Sequence, residues 1–159
     1  AEDSTKQYKT LRTGRTVYGG GGIFPDVYVE IDTTGYTPYW GNLVRKGVVT
    51  EFVVDYMDHH RKELSDKYAD VDQLRDKFEV GDEIIDQLVA LGAKRGIELN
   101  EEELAISKPK IKTQIKALIA QKLWDMGDYF YIVNPEDEIY MKALDVLKDW
   151  DSYSKGIVR

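Results

Sequence analysis

Four consecutive glycines, Gly19, Gly20, Gly21 and Gly22, with Pro25 and Asp26 just beyond, are the most unusual place in this sequence to look for chemistry. A glycine run can cradle phosphate, offer backbone donors to an oxyanion, or simply let the chain bend. A phosphate loop of the Walker type requires a Gly-Lys-Ser/Thr ending, and a dinucleotide fingerprint requires a helix directly behind the glycines; here Ile23, Phe24 and Pro25 follow instead. An oxyanion loop of the lipase kind fails as well, since no histidine precedes the run and no Gly-x-Ser-x-Gly elbow occurs anywhere. The remaining reading is a bend in which glycine permits positive φ and close approach of another backbone. Pro25 fixes its own φ and holds Phe24 extended, and Asp26 is expected to accept hydrogen bonds from amides that the glycines leave exposed. These six residues are therefore read as a structural motif.

The other candidates are weaker. His59 and His60 are the only histidines, and neighbours on a helix point about 100° apart, so they do not form the i, i+4 pair of a zinc site. One partly packed and one solvated histidine is the expectation. No cysteine occurs, which removes disulfides, thiolate nucleophiles and cysteine zinc motifs. Lys108, Lys112 and Lys116 share one helical stripe, to be read as a solvated face or as a contact for an acidic partner. Trp124, Tyr129, Phe130 and Tyr131, with Tyr39 and Trp40, are read as core with polar tips, a peptide groove being the functional alternative. No catalytic residue, metal ligand or cofactor site is assigned.

The elements that must position these residues fall in two territories divided near Thr33–Thr34–Gly35. Before it, residues 16–18, 23–24 and 27–31 have the β-branched and aromatic content of strands, with Val27, Val29 and Ile31 on one face. After it the chain reads as helix. Thr37 caps a short helix with Pro38 at its first position, and Gly47 closes it. The next helix runs from about Val49 to Lys67, with Phe52, Val53, Tyr56, His60 and Leu64 on a common face. Asp70 with Gln73 caps a brief helix to Phe78, Gly81–Asp82–Glu83 starts another that Gly96 ends, and Asn100 with Glu103 caps a further one. Pro109 is expected to interrupt that helix, with Ser107 capping a new start. From there Ile111, Ile115, Leu118, Ile119, Leu123, Met126 and Phe130 keep helical phase, predicting one helix straight through Gly127. Asn134–Pro135 should stop it and begin a last helix with Ile139, Ala143, Leu147 and Trp150 inward, leaving residues 151–159 as a tail.

The resulting expectation is an α+β chain, predominantly α: a β segment over residues 1–34, a helical bundle-like domain over 35–150, then the tail. A length of 159 residues supports a core without metals or disulfides. The net charge of −7 opposes a nucleic-acid surface, and no long uncharged apolar stretch could span a membrane. The mean hydropathy of −0.47 agrees with a soluble composition. No solenoid-like repeat is visible. The chain opens on Ala1 with no signal-like region, which reads as a processed or excised piece.

Residues 8–37, YKTLRTGRTVYGGGGIFPDVYVEIDTTGYT, resemble the segment that closes the catalytic domain of carboxyl-terminal processing (tail-specific) serine peptidases, in the form typical of Bacteroidetes. Gly22, Ile23, Phe24, Pro25, Asp26 and Val27 match the Gly-Ile-x-Pro-Asp-Val/Ile sequence of that family, and residues 107–127 are similar to its C-terminal helices. The resemblance implies a parent serine endopeptidase of the cell envelope or periplasm. Its partners would be the catalytic and PDZ domains and the parent's protein substrates, with self-association as a further possibility. The serine nucleophile and lysine base of that family belong to motifs upstream of this segment, and neither motif is present; Ser65 with Lys67, Ser107 with Lys108 and Ser154 with Lys155 lack glycine-rich surroundings. The chain alone is expected to be inactive. The alternative is a stand-alone helical protein-interaction module.

Overall fold

The computed structural model describes residues 7–12, 14–19, 25 and 27–157, the last two by backbone alone. Among them are two short strands and eight α-helices, an α+β fold that is mainly helical, as the sequence patterns lead one to expect. The chain divides into two compact units, Asp32–Asp137 and a second drawn from the residues on either side.

The Asp32–Asp137 unit opens on a tied-down turn in which the Asp32 carboxylate accepts from the Thr34 amide at 2.8 Å and its hydroxyl at 2.6 Å. Helix α1, Pro38–Arg45, follows, and the Thr37 hydroxyl accepts from the Trp40 amide at 3.3 Å. Gly47, at φ 70°, makes the left-handed turn into α2, Val48–Lys67, a conformation that costs any residue with a Cβ. Asp70 caps α3, Val71–Lys77, by accepting from the Gln73 amide at 2.9 Å. Gly81 precedes α4, Asp82–Lys94, whose first turn carries Asp82 and Glu83 at the positive end of the helix dipole. Asn100 caps α5, Glu101–Leu123, with the Glu103 amide donating at 3.0 Å.

Helix α5 runs unbroken through Pro109, contrary to the expected interruption. Proline there cannot donate to the carbonyl of Ala105, but both residues are exposed, so water can take that acceptor. The helix is held instead by its buried side, where Ile111, Ile115 and Ile119 are fully enclosed. Each such side chain contributes about 1.5–3 kcal/mol of transfer free energy, enough to override one missing backbone bond. Ser107 is consequently not a cap. It is fully buried mid-helix, its hydroxyl 2.6 Å from that of Thr37.

The expected passage through Gly127 is also corrected. α5 stops at Leu123, and α6, Met126–Val133, begins anew. The cause is a capping box: the Asp125 carboxylate accepts from the amides of Gly127 at 2.6 Å and Asp128 at 3.3 Å, while Asp128 accepts from the Asp125 amide at 3.3 Å. A 3-10 turn, Asn134–Glu136, completes the unit. The core gathers around α5, with Leu43 of α1, Val48 and Val53 of α2, Leu74 of α3 and Leu88 of α4 all fully buried.

In the other unit β1, Gln7–Lys9, pairs antiparallel with β2, Thr16–Tyr18, in the register Gln7↔Tyr18, Tyr8↔Val17, Lys9↔Thr16. β2 was expected; β1 was not. Residues 27–31, expected as a strand, have no ladder partner among the described residues; Val27 and Val29 are half-buried and Tyr28 and Glu30 exposed, but Ile31, expected on the face of the two valines, is exposed as well. A strand face without a second sheet to cover it cannot be stabilised as a strand. The expected single last helix is two, α7, Glu138–Lys148, and α8, Trp150–Ile157, so most of the expected tail is helical. Its expected inner face is exposed: Ile139 49%, Leu147 62%, Trp150 51%. No described residue of this unit is buried.

Candidate functional site

Of the glycine motif, Gly19 and Pro25 are described, while Gly20, Gly21, Gly22 and Asp26 lie outside the described residues. At Gly19 the Tyr8 ring stands so near that a Cβ would meet Tyr8 Cε2 at 2.7 Å, a close approach that glycine permits.

The serines that neighbour lysines in sequence are engaged locally. Ser65 donates to the Lys62 carbonyl at 3.0 Å, Ser154 to the Asp151 carbonyl at 3.4 Å, and Ser107 bonds Thr37. A serine nucleophile needs an adjacent base, and none of these hydroxyls has one. His59 and His60 each bond back through Nδ1 to the carbonyl four residues earlier, at 2.8 and 2.9 Å. His60 also stacks on Tyr56 at 4.1 Å between centroids, so one histidine is packed and the other exposed, as expected. Among the described residues no group of three or more metal-binding side chains comes together, and no helix is long and apolar enough to cross a membrane.

The lysine stripe is where the structure departs furthest from the sequence reading. It is a partly solvated face that also bonds within the chain, because it turns toward α3 and α4. Lys108 Nζ lies 2.9 Å and Lys112 Nζ 3.6 Å from the same oxygen of Asp82. The Lys108 hydrogen bond, reinforced by the charges of both lysines, holds the Asp82 carboxyl below the usual carboxylate range. Lys116 donates to the Arg75 carbonyl at 2.9 Å, and burial pushes its pKa down.

Beside this stripe opens a cleft of about 430 Å³ between α3, the loop into α4, α5 and the chain after α6. Lys112 and Lys116 line one side, Val80, Ile132 and Pro135 supply apolar surface, and Glu79 and Glu136 add carboxylates. Thr113 donates to Glu136 at 2.6 Å, fixing the turn to α5. Arg75 also lines the cleft, but its guanidinium is committed: it bonds Asp76 at 2.8 Å, Asp72 at 3.1 Å and the Tyr131 hydroxyl at 2.6 Å. The bonds to Asp76 and then Tyr131 raise its pKa above its ordinary value.

The aromatic residues do not form one groove. Tyr39 and Trp40 are buried, Trp124 and Tyr129 pack against the core, and Phe130 and Tyr131 are exposed. The sequence reading did not find the cleft, whose residues are spread from Arg75 to Glu136 with no spacing that links them. It also missed the junction at which Glu103 accepts from the Tyr39 amide at 2.6 Å, fastening the start of α1 to α5.

Residues 39–125 match a family described as a family of unknown function (DUF8443), a stretch covering more than half of the chain and running from the first turn of α1 to the cap of α6. No curated protein and no solved structure matches the chain.

Proposed function

We propose that this chain, which belongs to the family of unknown function DUF8443, is the non-catalytic carboxyl-terminal part of a carboxyl-terminal processing serine endopeptidase of the cell envelope. In this reading the β segment of residues 1–34 closes a protease core, and the helices support that core, self-associate, or receive substrates and adaptors. The serine and its lysine base reside in the upstream part, so the chain contributes no group to bond cleavage.

The observation that carries this reading is the exposure of the strand-forming residues. Tyr8 is 57% and Tyr18 53% exposed, and along the extended run Tyr28 is 74% and Ile31 69% exposed. Two strands of three residues are marginal in water without further strands or a covering layer. Aromatic and β-branched residues of this kind suit a sheet that other strands extend. The Gly-Ile-Phe-Pro-Asp-Val resemblance supports reading that sheet as one of a protease core.

The test joins this chain to a Ser/Lys-bearing catalytic and PDZ portion and measures cleavage of an unstructured carboxyl-terminal peptide. The isolated chain should show no hydrolysis, the joined protein should cleave, and deletion of residues 8–31 should abolish cleavage. A catalytic portion that works at full rate without residues 8–31, and does not bind the chain, would refute the proposal.

A second reading, a stand-alone helical interaction module, has one observation in its favour: among the described residues every buried one lies between Tyr39 and Ile132, so the helices hold a core of their own. Failure of the catalytic portion to bind, together with a stable free helical unit, would decide for it.

A further inference from the structure

The cleft beside the lysine stripe presents a charge pattern that its own residues leave incomplete. Asp82 offers one negative charge to two lysines, and Lys108 at 2.9 Å holds it more closely than Lys112 at 3.6 Å. Lys116 spends one N–H on the Arg75 carbonyl, and an ammonium carries three donors. Among the described residues no carboxylate lies within ion-pair distance of Lys116, and the charges of Glu79 and Asp76 act on it only from farther off, too weakly to offset its burial. These two side chains, one helical turn apart, face apolar surface from Val80, Ile132 and Pro135 within a volume of about 430 Å³. Such a volume is in the range of small-molecule sites.

We propose that this cleft binds a small organic monocarboxylate, its carboxylate on Lys112 and Lys116 and its aliphatic body on Val80, Ile132 and Pro135. The charge of the lining and the commitment of Arg75 decide against phosphate. Glu79 and Glu136 line the same space and repel a dianion more than a monoanion. The group best shaped to grip phosphate, the Arg75 fork, is held by Asp72, Asp76 and Tyr131. The apolar surface selects for a chain behind the carboxylate, each buried methylene tightening binding about fourfold. The burial that lowers the pKa of Lys116 agrees with an ammonium short of solvation, which an anion would supply. This inference is independent of the protease reading, because every residue it uses lies in the self-contained helical unit.

The experiment is an NMR titration of the full chain at pH 7 with sodium hexanoate, sodium acetate and inorganic phosphate. Hexanoate should give saturable shifts centred on Thr113, Lys116 and Ile132, with acetate at least about tenfold weaker for want of apolar contact. Phosphate should give no saturable shift. Lys116→Met should weaken hexanoate binding about tenfold by removing a charge-assisted bond. Lys112→Met, at a more exposed position, should weaken it severalfold, and it decides the matter if the first variant does not fold. Absence of a saturable hexanoate shift, phosphate binding as tight as hexanoate, or unchanged hexanoate affinity in Lys112→Met would each overturn the proposal.

Discussion

Tyr39 shows how much a single atom can decide. Its side chain is buried at 2% exposure, and its hydroxyl has no hydrogen-bond partner. A buried polar group in that condition costs free energy, and burial raises its pKa. Tyr39→Phe removes the unsatisfied oxygen and keeps the ring. It should leave stability unchanged or raise it by up to about 1 kcal/mol, as read by urea denaturation; a loss larger than that would mean the hydroxyl has a partner. Asp82 is the opposite case. Its folded pKa is depressed, chiefly by the Lys108 bond, so its stabilising contribution is present above the ordinary carboxylate range and is lost as pH falls through the lower folded value. Asp82→Asn should therefore flatten the fall in melting temperature below about pH 4 relative to wild type, while differing little in slope between pH 6 and 8. An acid limb of unchanged steepness would assign the acid sensitivity to other carboxylates. Neither residue's role was legible in the sequence. A lone tyrosine and one acid among 29 carry no local signal of what will face them.

Helix ends were legible because caps are local. Thr37, Asp70, Gly81 and Asn100 precede the helices they were expected to start, and Gly47 and Gly96 follow the helices they were expected to end. Besides the last helix, which is two rather than one, the failures arise where a local signal competes with packing or with a second local signal. At Pro109 the missing donor argued for a break, but the buried isoleucines of α5 prevail. Pro109→Ala restores a backbone bond to an exposed helix interior and should stabilise the protein by about 1–3 kcal/mol, measured by thermal and chemical denaturation. Destabilisation would show that the helix is shaped around the proline. At Asp125 the continuing apolar period argued for one helix, yet the reciprocal Asp125 and Asp128 bonds divide it. Asp125→Ala should cost about 1 kcal/mol, with the loss localised to α6 in hydrogen exchange. No loss would mean that the break comes from the Trp124 backbone rather than the cap.

At the scale of the molecule, the sequence patterns put the change from β segment to helices at the Thr33–Gly35 junction, close to where the Asp32–Asp137 unit begins, and do not show that this unit ends at Asp137. They do not reveal how unevenly burial is distributed. Amphipathic spacing in α7 predicts an inner face, but spacing states only that a face exists, not that anything covers it. Among the described residues all buried ones fall between Tyr39 and Ile132, while Leu147 and Trp150 remain exposed. Local opening follows buried apolar contact, so the two units should differ in hydrogen exchange under native conditions. In the isolated chain, amides of α2, α4 and α5 should exchange only by global unfolding. Those of residues 7–19 and 138–157 should exchange many orders faster, and the polypeptide 32–137 should retain a cooperative melt within a few degrees of the full chain. Adding the catalytic portion proposed above should slow residues 7–19 selectively, because new ladder bonds and a covering layer would form there, and leave α5 unaffected. Protection of residues 7–19 already equal to that of α5 in the isolated chain would show that the strands possess a core of their own, and the argument for a missing sheet would fail with it.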